Sequence, residues 1–154
     1  MTSFLFVCLG NICRSPAAEA IFHKKIENQR PSKEVNYQSA GTIDHHKGEP
    51  ADPRMISALK RYGYQPISTS RPVENQDFYK FNYIFAMDQN NLKELHNRRP
   101  KDSHSKIYLI CDFIEKTSEQ EVPDPYYGGS EGFDKVIKLL EAAIDGVIDN
   151  YLQP

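Results

Sequence analysis

The sequence predicts an α/β protein built on a parallel sheet with helices on both faces. The main evidence is that short β-rich runs, at residues 4–8, 35–40, 83–87 and 107–110, alternate with segments of helical pattern. Parallel strands need crossover connections, usually helices, and these cover the sheet. With 154 residues and 39% hydrophobic content, the chain can bury a core as one domain spanning residues 1–154.

Each predicted helix begins with residues that suit a helix N-terminus. Ser15-Pro16 opens a first helix that continues to about residue 29, because proline fits the first turn. Asp52-Pro53 opens a second helix that ends near Gly63, and Asp88 is the expected N-cap of a third. The last helix is indicated by apolar residues at helical spacing on one face: Phe133, Val136, Ile137, Leu140, Ile144, Val147, Ile148 and Tyr151.

The composition argues against several classes of function. A formal net charge of -2 provides no general basic surface for nucleic acid. No apolar run approaches membrane-spanning length, and the run at residues 4–9 is too short for a secretion signal. The three cysteines, Cys8, Cys13 and Cys111, are an odd number, which disfavours a disulfide framework. We therefore expect a cytoplasmic monomer that binds neither nucleic acid nor membranes.

The most informative segment is residues 7–16, Val-Cys-Leu-Gly-Asn-Ile-Cys-Arg-Ser-Pro, which follows the first strand. Its order of strand, loop and helix start places Cys8 and Arg14 around an anion-binding loop at a helix N-terminus. Gly10 allows close backbone approach, and Asn11 tolerates the left-handed conformation that such a loop needs. The segment therefore predicts a thiol held against a bound phosphate, in preference to a buried core cysteine beside a surface arginine.

The residue types in this loop suit nucleophilic catalysis. An ordinary thiol is mostly protonated at neutral pH, so a nucleophilic cysteine needs surroundings that stabilise its anion. Loop N–H groups, the helix N-terminus and the Arg14 guanidinium all supply such stabilisation to Cys8. The planar fork of Arg14 can also hold two phosphoryl oxygens, and Ser15 can donate a hydrogen bond to the thiolate.

A second cluster lies at residues 122–129, where Asp124 stands between two prolines. Asp124 is a candidate general acid, and Tyr126 and Tyr127 are candidate walls for a flat substrate group. Taken alone, Asp124 is more typical of a turn residue than of a general acid, and the tyrosines are as typical of packing residues as of pocket walls. Asp88 is interpreted as a helix cap, although it also follows a parallel strand at the end where ligands bind. The histidines lack metal-ligand spacing, so we expect neither a metal nor a cofactor.

The segment at residues 8–16 resembles the signature loop of the low-molecular-weight protein tyrosine phosphatases. The resemblance extends nearly from end to end and includes Ser39-Ala40-Gly41-Thr42, Asp52-Pro53-Arg54, Ser70-Arg71, Asp77-Phe78, Ala86-Met87-Asp88, Asn91-Leu92 and residues 124–128. It implies a three-layer sandwich with a four-stranded parallel sheet in the strand order 2-1-3-4. It also implies hydrolysis of protein phosphotyrosine and small aryl phosphates, with inorganic phosphate or sulfate as an active-site ligand.

The resemblance assigns roles to individual residues. Cys8 is the implied nucleophile, Arg14 the phosphate ligand and Asp124 the general acid and base of a cysteinyl-phosphate mechanism. Ser39 is a supporting residue that accepts a hydrogen bond from Asn11, and Cys13 protects Cys8 by forming a reversible disulfide. The other implied substrate-binding residues are Leu9, Gly10, Asn11, Ile12, Cys13, Ser15, His45, Tyr126 and Tyr127. His45 is a departure, because many relatives place a tryptophan in this region.

Four alternatives stay open on the sequence. Arsenate reductases resemble this chain but need two further cysteines, whereas only Cys111 remains here. Protein arginine phosphatases usually carry threonine at the position of Ile12. A phosphopeptide-binding module would use the same loop without turnover. A thiol redox protein would use Cys8 and Cys13, although their spacing is not Cys-x-x-Cys.

Overall fold

Four parallel strands form the central sheet of the computed structural model, which describes residues 1–31 and 34–152. The strands are β1 (Thr2–Cys8), β2 (Val35–Gly41), β3 (Tyr83–Ala86) and β4 (Lys106–Leu109), in the order β2-β1-β3-β4. The predicted parallel sheet and its order 2-1-3-4 are therefore confirmed. Strand β1 is central, so its carboxyl end opens between the ends of β2 and β3.

Helices connect the strands. They are α1 (Arg14–Gln29), α2 (Pro53–Arg61), α3 (Asp77–Lys80), α4 (Gln89–Arg98) and α5 (Ser130–Tyr151), with a 3₁₀ helix at Ile110–Phe113. The four helices predicted from the sequence are confirmed, with ends shifted by at most three residues. Helix α3 and the 3₁₀ helix were not predicted, because four residues are too few to show a helical period. None of the described helices is long and apolar enough to cross a membrane.

The sheet is buried on both faces, as the alternation of side chains in β1 shows. Phe4, Phe6 and Cys8 belong to a core shared with α1, α2 and α5. Leu5 and Val7 point to the opposite face, into a smaller core that includes residues of α3 and α4. The predicted three-layer sandwich follows from this division.

Local chemistry fixes the start of the two helices that flank the site. The Asp52 side chain accepts a hydrogen bond from the backbone N–H of Arg54, with Pro53 in the first turn of α2. Asp88 and Asn91 form a reciprocal capping box at the start of α4. Helix α1 has no side-chain cap, and Cys13 is its N-cap residue. Its start is therefore continuous with the loop that follows Cys8.

Candidate active site

Cys8 lies at the end of the central strand, buried, with its sulfur facing Ser15. The distance between Cys8 Sγ and Ser15 Oγ is 3.0 Å. The expected contact between the thiol and the first turn of α1 is thus present. A hydroxyl at this distance can donate a hydrogen bond to a thiolate.

Asn11 supports the loop from behind. It is one of two non-glycine residues with positive φ in the described chain, at 57°, as its expected left-handed conformation requires. Its Nδ2 donates to Ser15 Oγ at 2.7 Å and to Ser39 Oγ at 3.0 Å, and its Oδ1 accepts from the N–H of Arg71. Asn11 and Ser15, grouped above with the substrate-binding residues, lie buried behind the loop and do not line the pocket.

The carbonyl groups of the loop are held by donors from outside it. Ser70 Oγ donates to the carbonyl of Gly10 at 3.0 Å, and the N–H of Asp52 donates to the carbonyl of Ile12 at 2.8 Å. Within the described residues, no acceptor is recorded for the backbone N–H groups of residues 10–13. Because buried backbone donors are nearly always paired, these N–H groups are suited to an anion.

Gly41 permits the close contact between this loop and the end of β2. A Cβ atom at Gly41 would lie 2.8 Å from the carbonyl oxygen of Leu9 and 3.1 Å from the carbonyl carbon of Gly10. Those atoms are backbone, so they cannot move aside as a flexible side chain would. The loop therefore packs directly on a position that only glycine fits without a shift.

Arg14 is 3% exposed and is held in place by two acceptors. Its Nη1 donates to Asp88 Oδ2 at 2.6 Å and to the carbonyl of Val122 at 3.1 Å, while its Nη2 lies 3.7 Å from Asp124 Oδ2. Burial by itself would lower the pKa of Arg14, but the nearby Cys8 and Asp88 raise it, so the guanidinium stays charged. Asp88 is confirmed as a helix cap, and it is also the carboxylate that orients Arg14.

Asp124 reaches the site from the opposite loop. It is 37% exposed on its side chain, and its Oδ1 accepts a hydrogen bond from the N–H of Tyr126 at 3.0 Å. The rings of Tyr126 and Tyr127 are nearly perpendicular, with centroids 4.9 Å apart. Oδ1 is thus used to shape the loop, and Oδ2 faces Arg14. Both tyrosines line the same pocket as Cys8, as expected.

Two histidines form the remaining rim of the pocket. The rings of His45 and His46 meet edge to face with centroids 4.7 Å apart, and His46 Nδ1 pairs with Glu49. A Cβ atom at Gly10 would lie 3.1 Å from the His46 ring, so the small residue makes room for that ring. His46 was not predicted as a site residue. The complete lining is Cys8, Leu9, Gly10, Ile12, Cys13, Arg14, Ile43, His45, His46, Asp124, Tyr126 and Tyr127.

The other two cysteines, Cys13 and Cys111, are buried free thiols. Burial, followed by the charge of Asp52, raises the pKa of Cys13 far above its ordinary value, so Cys13 is a neutral thiol. Cys111 is also buried, and burial raises its pKa to about 11. In the described parts of the chain, no group of three or more histidine, cysteine or carboxylate side chains is arranged to hold a metal ion.

A buried carboxylate that the sequence did not single out stands behind Ser39. Glu19 Oε1 accepts hydrogen bonds from Ser39 Oγ at 2.7 Å and from Ser68 Oγ at 2.6 Å. Burial raises the pKa of Glu19, and the two hydroxyl donors act in the opposite direction. Because Ser39 also accepts from Asn11, Glu19 fixes the direction of the hydroxyl that supports the loop.

Comparisons with known proteins agree with this arrangement. The family model for low molecular weight phosphotyrosine protein phosphatase matches residues 3–153. A phosphotyrosine protein phosphatase of this family from Schizosaccharomyces pombe is 41% identical over 141 residues, which cover 89% of each protein. A crystal structure of a protein tyrosine phosphatase from Entamoeba histolytica, with Hepes in its active site, superposes with a TM-score of 0.93. It is 49% identical and covers 97% of this chain and 96% of that one.

A structure described as an arginine phosphatase from Drosophila is also similar. It has a TM-score of 0.89 and 32% identity, and it covers 98% of each chain. The fold is therefore shared by enzymes described with different substrates, while the family model and the more similar relatives agree with one another. This chain belongs to the low molecular weight phosphotyrosine protein phosphatase family.

Proposed function

We propose that this protein hydrolyses phosphotyrosine in proteins, and small aryl phosphates, through a cysteinyl-phosphate intermediate. The observation that carries the proposal is the convergence of Cys8, Arg14 and Asp124 on one pocket, whose floor presents backbone N–H groups that have no acceptor among residues 1–31 and 34–152. Membership of the family supports the phosphotyrosine substrate. Inorganic phosphate or sulfate is the expected anion for the same N–H groups and for Arg14.

In the first step, Cys8 Sγ attacks phosphorus and forms the S–P bond while the bond to the tyrosine oxygen breaks. The N–H groups of residues 10–13 and the free edge of Arg14 stabilise the charge on the phosphoryl oxygens. Asp124, protonated at this stage, gives its proton to the departing phenolate oxygen. Its Oδ2 atom faces Arg14, so the proton donor lies on the phosphate side of the pocket.

In the second step, water attacks the cysteinyl phosphate and Cys8 leaves as a thiolate. Asp124, now ionised, takes a proton from the water, and inorganic phosphate is the product. Ser15 donates to the departing thiolate from its position 3.0 Å from the sulfur. Every group that this scheme needs belongs to the chain itself, so the proposed reaction uses no cofactor.

The wall of the pocket favours an aryl ester over a guanidino phosphate. Ile12, Tyr126 and Tyr127 present apolar surface to the group that carries the phosphate. Hydrolysis of phosphoarginine in proteins is a second candidate, because the Drosophila arginine phosphatase has the same fold. The two substrates are distinguished by comparing kcat/KM for matched phosphotyrosine and phosphoarginine peptides.

The mechanism is tested by measuring the hydrolysis of p-nitrophenyl phosphate by the purified protein in the presence of a chelator. We expect turnover in the wild type, none in Cys8→Ser, and phosphate trapped on sulfur in Asp124→Asn, seen by phosphorus NMR after rapid denaturation. Full activity in Cys8→Ser would contradict the nucleophile. Binding of phosphotyrosine with no release of phosphate over hours would instead support a non-catalytic phosphopeptide-binding module.

We also propose that Cys13 protects Cys8 during oxidation. Peroxide converts Cys8 to a sulfenic acid, and attack by Cys13 then forms the Cys8–Cys13 disulfide with loss of water. A thiol reductant restores both cysteines. The hydrolysis rate of each protein is measured before treatment and again after peroxide followed by dithiothreitol, and the two rates are compared. We expect the wild type to recover and Cys13→Ser to lose activity permanently, because without Cys13 a second equivalent of peroxide oxidises the sulfenic acid to a sulfinic acid that dithiothreitol does not reduce. Equal recovery in both would contradict the proposal.

A further inference from the structure

A second groove opens beside the active-site pocket, and we call it the α4 groove. Leu9 and Ile43 line both the pocket and the groove, so they form a ridge between the two. Leu9 is 46% exposed and Ile43 is 41% exposed, and the two lie side by side on this ridge. Beyond the ridge the groove is lined by polar residues of α4, among them Asn90, Lys93 and Asn97. The active site therefore continues into a surface that a small aryl phosphate cannot fill.

We propose that the α4 groove binds the polypeptide next to the phosphotyrosine and selects substrates with an acidic residue there. The occupant is a protein segment with an apolar residue beside the phosphotyrosine, over the Leu9–Ile43 ridge, and an aspartate or glutamate opposite Lys93. The inference rests on the proposed phosphotyrosine phosphatase activity and adds a substrate class to it.

The ridge supports a peptide because of where the phosphate must sit. A phosphotyrosine side chain that reaches Cys8 places its own backbone at the mouth of the pocket, where Leu9 and Ile43 are exposed. An extended chain advances about 3.3 Å per residue, so the next residues pass over the ridge. Covering two exposed apolar side chains is favourable, because it removes apolar surface from water.

The charges along the groove support an acidic partner. Arg98 Nε pairs with Glu94 Oε1 at 2.7 Å, so these two charges largely satisfy each other. Lys93 is exposed and, within the described residues, has no ion pair or side-chain hydrogen bond. The lining therefore keeps one uncompensated positive charge, on Lys93. Asn90 and Asn97 add exposed amides, which can pair with the backbone of an extended peptide.

Both walls of the groove are fixed before any substrate binds. The capping box of Asp88 and Asn91 sets the start of α4, and Asp88 also holds Arg14. At the other end of α4, Arg98 Nη2 donates to the carbonyl of Thr42, which adjoins Ile43. The helix that carries Lys93 is thus tied at both ends to the active site. A preformed groove costs less to occupy than one that must be ordered.

The test uses two phosphotyrosine peptides that differ only in glutamate or glutamine near the phosphotyrosine, with the position varied along the peptide. For the wild type, we expect kcat/KM to be about twofold to fivefold higher for the glutamate peptide at its best position, as for an exposed charge pair. Lys93→Glu should abolish or reverse this preference, and Asn97→Asp should weaken it. Added salt should reduce the preference in the wild type.

Two controls separate the groove from other effects. Hydrolysis of p-nitrophenyl phosphate should be unchanged in Lys93→Glu, because that substrate does not reach α4. Lys138→Glu makes the same change in net charge at an exposed position of α5, on the other face of the sheet, and should keep the wild-type preference. Absence of a preference in the wild type, or equal effects of the two lysine variants, would overturn the proposal. If the wild type hydrolysed neither phosphotyrosine peptide, that result would instead contradict the proposed function.

Discussion

Arg54 donates from Nη1 to the backbone carbonyl of Tyr126 at 2.9 Å. The same guanidinium pairs with both carboxylate oxygens of Asp52, and the N–H of Asp52 donates to the carbonyl of Ile12. Arg54 also lies over the Tyr126 and Phe133 rings. A continuous series of contacts therefore joins the loop that carries Cys8 to the loop that carries Asp124.

Replacing Arg54 should impair proton donation more than phosphate binding. For Arg54→Ala and Arg54→Lys, we expect kcat/KM to fall about tenfold with phenyl phosphate, a poor leaving group, and much less with p-nitrophenyl phosphate. The loss should stay below the roughly 10²-fold to 10⁴-fold contribution of a general acid. The planar guanidinium of Arg54 donates to Asp52 and to the Tyr126 carbonyl at the same time, and a lysine ammonium group cannot reproduce that geometry.

Two controls test this role for Arg54. Arg61→Ala, on the same helix and paired with Asp134, should leave the dependence on leaving group unchanged. In an Asp124→Asn background, the Arg54 substitutions should have no further effect on that dependence. An equal loss with both substrates would contradict a role in positioning Asp124.

Asp88 should matter for catalysis separately from its role as a helix cap. Asp88→Ala removes the carboxylate that accepts from Arg14 Nη1 and leaves the carbonyl of Val122, so we expect kcat/KM for p-nitrophenyl phosphate to fall at least about tenfold, as for a misplaced ligand. Loss of the cap should also cost about 1 kcal/mol of unfolding free energy. Asp88→Asn has a single acceptor oxygen in place of Oδ1 and Oδ2, so it keeps only one of the two bonds, and its activity should lie between those of the wild type and Asp88→Ala.

Asn91→Ala separates the two effects of Asp88. It removes the other half of the capping box and leaves Arg14 untouched. We expect lower stability in urea denaturation with kcat/KM near the wild-type value. If Asn91→Ala and Asp88→Ala lose activity equally, the cap alone accounts for the effect.

Gly41→Ala should displace the phosphate-binding loop. The new Cβ meets the backbone of Leu9 and Gly10, and overpacking of this kind typically costs about 1–3 kcal/mol. A small shift of the loop misplaces its N–H groups, so we expect kcat/KM to fall tenfold or more. Gly132→Ala is the matched control, because its Cβ would make only ordinary contact with Pro125. Equal activity of the two variants would show that the loop does not depend on Gly41.

Glu19→Gln should stabilise the protein progressively as the pH rises. Burial raises the native pKa of Glu19 above its unfolded value, so the native state binds this proton more tightly. Its contribution to stability is full below the ordinary glutamate pKa and is lost as pH rises through the raised native pKa. Glutamine keeps the Oε1 acceptor for Ser39 and Ser68 and does not ionise.

The measurement is the unfolding free energy of both proteins in urea from acidic to neutral pH. The difference, variant minus wild type, should grow with pH, and the activity of the variant should be retained. A difference that shrinks with pH would mean that the ionised carboxylate stabilises the native state.

The sequence was sufficient for the parts of the fold that depend on local pattern. The apolar run of β1, the cap at Asp88 and the apolar face of α5 are local signals, and the structure has each of them. The pocket lining was predictable for the loop at Cys8 because its residues are contiguous. Helix α3 was missed because one turn has no measurable period.

The supporting residues of the site could not be predicted in the same way. Glu19, Arg54 and His46 act through partners that are distant in sequence or through ring contacts that no spacing reveals. The place of Asp88 near the site could be predicted in part, because Asp88 follows a strand parallel to β1 and must lie at the same edge of the sheet. Its bond to Arg14 spans 74 positions and required the structure.

The hydrogen bond from Arg14 to the carbonyl of Val122 has a consequence for biosynthesis. These residues are 108 positions apart, so at about 5–20 residues per second a ribosome needs on the order of 5–20 s to pass from one to the other. During that interval the emerging polypeptide contains Cys8 and Arg14 but not yet Asp124, the carboxylate that faces Arg14 in the folded protein. Enzymatic competence therefore arises late in translation, when the segment from Val122 onward docks on a sheet whose first strand was made long before.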